Sequence, residues 1–219
     1  MIKKIELNLE TSANQLLVLL FSADFVFFIL HIFNSVAGYT LGPGFDIEVD
    51  WSFSEVFQYL KEFWIVLLLL LLAVRVSVFP YIAWSLLFVY FLLDDSVRIH
   101  ETLGTVISDY LHFVPMIGLR AKDFGELFVS AFFGFIFVPL FGVAYYVSGK
   151  SGRTVSNYLA AMVAALIFFG VFVDMLHGMA GSPVWQLILG MAEDGGEMLV
   201  MSLILWFVFH LNEGLVRQP

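Results

Sequence analysis

The chain has 219 residues, of which 61% are hydrophobic and only 13% charged, with 19 acidic against 10 basic side chains and a formal net charge of −9; its mean hydropathy is +0.94. This excludes a water-soluble domain, which carries about twice that share of charge, and the acidic balance excludes a nucleic-acid footprint. With no cysteine, disulfides, thiolate metal sites, cysteine nucleophiles, iron–sulfur clusters and c-type haem attachment are excluded together. What remains is an all-α integral membrane protein, a single polytopic domain over residues 1–219.

A helix crossing a ~30 Å hydrocarbon core at ~1.5 Å per residue needs about 20 apolar residues. Six stretches meet that length, near 15–37, 61–79, 81–103, 127–147, 155–179 and 184–211, and predict a bundle of six transmembrane helices. The first begins too far in and carries Asp24, His31 and Asn34, so it reads as a retained span and not as a signal peptide. After it, Gly42-Pro43-Gly44 is a turn, and Phe45 to Trp51 alternates apolar and acidic residues as a short extended strand would. Phe53, Val56, Phe57 and Leu60 then recur at the spacing of a short interfacial helix leading into the second span. Pro80 parts the second span from the third, because proline cannot continue the backbone ladder. Beyond the third, the segment 104–126 places Val106, Tyr110, Phe113 and Val114 on one face of a short helix before Pro115, then returns along the membrane through Arg120, Lys122, Asp123 and Glu126.

Lys3, Lys4, Arg75, Lys150, Arg153 and Arg217 fall at one set of span ends, and Lys61, Arg98, Arg120 and Lys122 at the other. The positive-inside rule therefore puts both termini in the cytoplasm, and the expected location is the bacterial cytoplasmic membrane. No lysine is expected deep within a span.

Ionisable groups inside a span cost about 2.5–3.5 kcal/mol each on insertion scales, so each needs a partner or a purpose. At about 100° per residue, Asp24 and His31 share a stripe, as do Asp94, Arg98 and Glu101, Asp174 and His177, and Glu193 and Glu197. Asp95 and Asp194 lie at the edges of two of these stripes, and His100 points away from Asp94. The stripes fall mainly in the outer half of the bilayer, whereas Leu16 to Phe21, Leu86 to Leu93, Ala160 to Phe169 and Leu199 to Phe209 carry no charge. The pattern predicts an acidic chamber, open to the outside, above an apolar floor.

Carboxylates together with imidazoles are ligands for zinc, manganese, iron or calcium. The expected cofactor is a divalent metal ion held by His31, Asp94, Glu101, Asp174, His177 and Glu193, with Glu197 or Asp24 as general base. Arg98 and Arg120 would hold a phosphate or carboxylate of the substrate. This describes a metal-dependent membrane hydrolase whose partners are membrane lipids and a lipid-like substrate, with homo-oligomerisation left open. Two alternatives use the same side chains. One is a cation or proton transporter or channel, against which stand the apolar inner half and the absence of repeats. The other is a non-catalytic subunit with a structural polar network, Arg98 joined to Glu101 or Asp94 and His177 to Asp174; the excess of acids counts against it. A haem between His31 and His177 is disfavoured by the surrounding carboxylates.

Overall fold

The computed structural model describes residues 11–35, 41–76 and 79–216. Lys3, Lys4 and Arg217, which contribute to the expected orientation, lie outside the described residues, as do positions 36–37 and 77–78 at the ends of the first two expected spans. The chain is all-helical: α1 (Ser12–Ser35), α2 (Phe53–Val76), α3 (Phe79–Val97), α4 (Ile99–Leu111), α5 (Ala121–Val147), α6 (Lys150–Ile167), α7 (Asp174–Gly178) and α8 (Pro183–Val216). A π-helical segment, Phe168–Val173, joins α6 to α7 without a break, so the described residues form seven rods and no strand.

Five of these rods, α1, α3, α5, the α6–α7 rod and α8, are long and apolar enough to cross a membrane. Their surfaces are consistent with a hydrocarbon surrounding. On α5 alone Phe135 is 79% and Val138 70% exposed, with Phe128, Phe132 and Ile136 beside them, an apolar band far larger than water tolerates on a monomer. α2 is as long as α1 but carries Lys61 and Glu62 in its middle, ahead of the apolar run Phe63 to Val74.

α2 and α3 run antiparallel, Tyr59 meeting Asp95 and Ser85 meeting Val66, whereas α2 and α8 pack side by side in the same direction, Lys61 against Met198 and Leu68 against Asn212. Ala13 donates its backbone N–H to Glu213 Oε2 at 3.4 Å and Trp206 Nε1 donates to Asn14 Oδ1 at 3.1 Å, so the start of α1 meets the end of α8. At the opposite end Phe28 of α1 lies against Gly195 of α8. Tyr90 and Phe133, and Trp84 and Phe141, each with ring centroids 4.3 Å apart, set α5 antiparallel to α3. The core fills the end of the bundle where α1 starts: Ile65, Leu69 and Leu72 of α2, Trp84 and Phe88 of α3, Leu159 of α6 and Ile204, Leu205 and Val208 of α8. Lipid tails are as apolar as these side chains, so close packing and interhelical hydrogen bonds hold this end together. Trp84 Nε1 donates to Ser156 Oγ at 3.1 Å, and Asn212 Nδ2 to the Leu68 carbonyl at 3.1 Å.

Three local expectations are corrected. The interfacial helix and second span are one continuous helix, because the apolar spacing that starts at Phe53 runs on without a breaker to Val76. Phe45 to Trp51 forms no strand: it follows a 3-10 turn at Pro43–Phe45 and closes on itself, with Asp46 N–H donating to the Pro43 carbonyl at 3.1 Å and Ser52 N–H to the Val49 carbonyl at 3.1 Å. Such a segment offers no edge to a partner strand. The third rod ends at Val97, short of 103, because Arg98 adopts a left-handed conformation (φ 57°, ψ 49°). Asp94 Oδ1 then accepts the His100 N–H at 2.7 Å, occupying one of the orphan donors at the start of α4. The proline break itself is found: Pro80 sits in the first turn of α3, where its missing N–H costs nothing.

α4 folds back on α5 at two glycines. A Cβ at Gly125 would stand 1.9 Å from the Gly104 carbonyl oxygen, and one at Gly104 2.7 Å from the Glu126 backbone nitrogen. Backbone therefore packs on backbone, as small residues allow between membrane helices. Gly125→Ala is expected to lever α4 off α5 and destabilise the protein by about 1–3 kcal/mol or more. A lowered melting temperature in detergent, compared with Gly134→Ala, whose Cβ would meet open space, checks this; equal values would refute the packing role.

Candidate functional site

The packing of the rods brings the polar ends together. The C-terminal ends of α3 and of the α6–α7 rod, the start of α4, the N-terminal halves of α2, α5 and α8 and the α1–α2 loop surround a cavity of about 330 Å³. Ten carboxylates line it: Glu48 from the α1–α2 loop, Glu55 of α2, Asp94 and Asp95 of α3, Glu101 of α4, Glu126 of α5, Asp174 of α7, and Glu193, Asp194 and Glu197 of α8. Only His100, Arg120 and Lys122 oppose them. Gln58, 7% exposed, also lines the cavity, and its buried Oε1 has no hydrogen-bond partner.

At the base, Glu197 is pressed against Gly170, where a Cβ would come within 1.9 Å of its Oε1. Gly170 belongs to the π-helical segment, and the widened turn gives the carboxylate its room. Glu62 is fully buried, neither of its oxygens has a hydrogen-bond donor, and its carboxylate faces that of Asp95. Two carboxylates in such contact cannot both carry charge without a proton or a cation between them.

Of the residues that the sequence singles out, Asp94, Glu101, Asp174, Glu193, Glu197 and Arg120 do line this cavity. Several are already engaged. Asp94 caps α4, with its Oδ2 3.1 Å from His100 Nδ1, so the expectation that His100 turns away from Asp94 is corrected by the kink at Arg98. Glu101 accepts from Arg98 Nε at 3.1 Å, and Arg120 is held by Asp123, Nε to Oδ1 at 3.0 Å. His177 Nδ1 lies 2.8 Å from Glu193 Oε2, the partner being Glu193 where Asp174 is expected.

Four others, Arg98, Asp24, His31 and His177, do not line the cavity. Arg98, expected to grip substrate, instead ties the α1–α2 loop to α4 through Asp50, 2.8 Å from its Nη1, and through Glu101. Asp24, expected as a general base, is fully enclosed below the cavity. It pairs with Lys61 at 3.1 Å and accepts from Ser202 Oγ at 2.6 Å. Lys61, far from a span end, is itself 0% exposed and satisfies its three ammonium donors with Asp24 Oδ1, the Met198 carbonyl at 2.9 Å and Ser202 Oγ at 3.2 Å. An acid so enclosed has no access to a substrate. Hydropathy starts the second apolar stretch at Lys61, whereas the helical spacing that begins at Phe53 carries Lys61 into the interior of α2.

His31, 1% exposed, lies beside the cavity on α1. Its Nδ1 is 2.9 Å from Asp46 Oδ1, with the Ile47 N–H a longer second contact at 3.4 Å, and its Nε2 is 3.8 Å from Glu48 Oε1. Nothing in the sequence marked Glu48, Glu55, Gln58 or Glu126 as members of the site. Among the described residues, no three His, Asp or Glu side chains converge closely enough to hold a metal ion as they stand.

The loop and α4 groups titrate as their surroundings dictate. Burial pushes the Glu48 carboxyl up despite the nearby His31 and His177. Burial also works upward on Glu101, but the Arg98 guanidinium outweighs it and holds the carboxyl low. For His100 burial works downward, and the Asp94 carboxylate with Glu101 and Asp95 overcomes it, raising the imidazole to about 9.

Fold and cavity together define an all-helical, apolar chain with one strongly acidic pocket at the end away from the described N-terminal residue. The chain belongs to the family described as a domain of unknown function, DUF8692, whose model matches residues 47–212. That stretch includes every cavity-lining residue and leaves out α1 with Asp24 and His31. Neither the curated proteins nor the solved structures contain a match.

Two outcomes follow. Lys61→Met leaves Asp24 buried without its counter-ion and is expected to destabilise the chain by about 3–5 kcal/mol, with partial recovery in the double variant Lys61→Met/Asp24→Leu, as judged by detergent unfolding; a neutral Lys61→Met would refute the pair. Because His100 is raised from 6.5 to about 9 in the folded chain, its stabilisation is complete below pH about 6.5 and is lost as pH rises through about 9. The melting temperature should fall over that window, and His100→Gln should flatten the fall.

Proposed function

We propose that this chain is a membrane protein that crosses the bilayer six times, α2 included, with both termini cytoplasmic, and that its acidic cavity opens on the outer face and binds a cation. The observation that carries the reading is the imbalance at one cavity, ten carboxylates against three basic side chains. The unpartnered Gln58 Oε1 adds independent support, since a buried acceptor without a donor is an acceptor for a cation or for its hydration water. A low-dielectric wall focuses the field of these carboxylates and raises the local concentration of positive ligands.

A divalent metal is the ligand tested first, because carboxylates with imidazoles are its donors. Once bound it would supply Lewis-acid polarisation of a substrate oxygen. Glu197, at the base, is then placed as general base, and Arg120, at the mouth, as the group that meets an anionic substrate. A second, apolar pocket adjoins the same turn of α8, lined by Phe28, Phe169, Met191 and Leu199 with Gly195 and Gly196. It suits lateral entry of an acyl chain, which favours a lipid substrate for a hydrolase of this kind. The buried Lys61–Asp24 pair beneath the cavity favours the alternative of a cation or proton transporter. The core packed below that pair offers such a route only scattered neutral polar groups, Ser85, Ser156 and Asn212, and no charged side chain among the residues of the core cluster.

The full chain in nanodiscs, titrated with Zn²⁺, Mn²⁺, Ca²⁺ and spermidine, should bind at least one of them saturably. Binding should weaken at least ~10-fold in Asp194→Asn/Glu197→Gln. Absence of binding for all four overturns the proposal.

A further inference from the structure

The cation reading leaves open which part of the cavity takes which ion, and one flank differs chemically from the rest. Elsewhere in the cavity the donors are oxygens apart from His100, whose Nδ1 stands 3.1 Å from Asp94 Oδ2. Beside the α1–α2 loop, two imidazoles approach one carboxylate from opposite helices.

His31 is 1% exposed and its Nε2 has no hydrogen-bond partner. The Nδ1 contact to Asp46 Oδ1, at 2.9 Å, is the shorter of that nitrogen's contacts and places the ring proton there, leaving a lone pair on Nε2. That lone pair looks toward Glu48 Oε1 at 3.8 Å, beyond hydrogen-bond range. The Glu48 carboxylate in turn fills the notch left by Gly190, where a Cβ would stand 2.2 Å from Oε1. The Cε1 edge of His177 is 3.1 Å from the same point, and its Nδ1 is held by Glu193 Oε2 at 2.8 Å. Each histidine thus has a carboxylate on Nδ1, and Glu48 stands before His31 Nε2 and beside the Cε1 edge of His177, the carboxylate–histidine arrangement that orients metal-binding imidazoles.

Resting on the reading of the cavity as a cation site, we propose that His31, Glu48 and His177 bind a divalent first-row transition metal of the zinc or iron(II) class, with Asp46 and Glu193 orienting the two imidazoles. In a tetrahedral site with ~2.0–2.1 Å bonds, ligand atoms stand ~3.3–3.4 Å apart. The His31–Glu48 separation of 3.8 Å therefore closes by about half an ångström, which a rotation of Glu48 within the Gly190 notch supplies. The paired imidazoles select against calcium and magnesium, which take oxygen donors.

The full chain in detergent micelles is dialysed against Zn²⁺ in excess Ca²⁺ and Mg²⁺, and bound metal is measured by mass spectrometry. One zinc per chain is expected, with His177→Ala and Glu48→Gln each weakening it at least ~100-fold and Asp46→Asn ~10–100-fold, the range for loss of an orienting carboxylate. Gly190→Ala, which removes no ligand but occupies the notch, should also weaken binding. Visible absorption of the Co²⁺-loaded chain, lost in His31→Gln, reports the low-coordinate site independently of affinity. Zinc binding unchanged in His177→Ala and Glu48→Gln but lost in Asp194→Asn/Glu197→Gln overturns this site and leaves the cation cavity standing. Zinc displaced by equal Ca²⁺ also overturns it, and a wild-type chain that binds no cation overturns both.

Discussion

The ion pair of Lys61 with Asp24 lies on the boundary between two chemistries. On one side of it stand ten carboxylates around a cavity, and on the other a core of leucine, isoleucine, valine and aromatic side chains. A single charge at that depth would cost several kcal/mol. A matched pair, with Ser202 and the Met198 carbonyl completing the ammonium's bonds, closes the acidic end against the apolar one. It also ties three rods, α1, α2 and α8, at one height. The cavity can be deep and polar because its floor is sealed by a pair that is electrically complete.

Above that floor the acids divide by what they touch. Asp94, Glu101 and Asp123 hold local structure: the start of α4, the clasp of Arg98 and the start of α5. Glu62, Asp95 and Glu197 meet at the base, where among the described residues only Lys61, beside Glu62, and the more distant His100 set positive charge against them. Glu48 and Glu193 face histidines. A network built only to join helices would pair acids with bases one to one; here the surplus gathers at the base and on one flank, and surplus negative charge in a low-dielectric wall is a demand for something positive.

The convergence of acids from α3, α7 and α8 was legible because helical periodicity fixes which side chains share a face and alternating spans fix which ends meet. Asp94, Asp174, Glu193 and Glu197 follow from that reasoning; Glu101 reaches the cavity from α4, beyond the turn at Arg98. The failures share a cause. Lys61 was assigned to a span end because hydropathy alone marks where a span starts, and a paired charge is invisible to a hydropathy sum. Arg98 and Asp94 were put on one continuous helix face, and the left-handed turn at Arg98 redirects everything after it. Glu48 sits in a loop without periodicity, and only the notch at Gly190 brings it to the histidines.

By itself, the sequence determined that the chain is helical, with helices long and apolar enough to cross a membrane, and that its acidic side chains gather on common helix faces, since these depend on composition and on the fixed pitch of a helix. Tertiary structure alone decided which acids are neutralised by a neighbour and which are left facing a cavity. Pairing is a matter of ångströms between residues far apart in the chain, 37 positions for Asp24 and Lys61, and no local pattern encodes a distance of that kind.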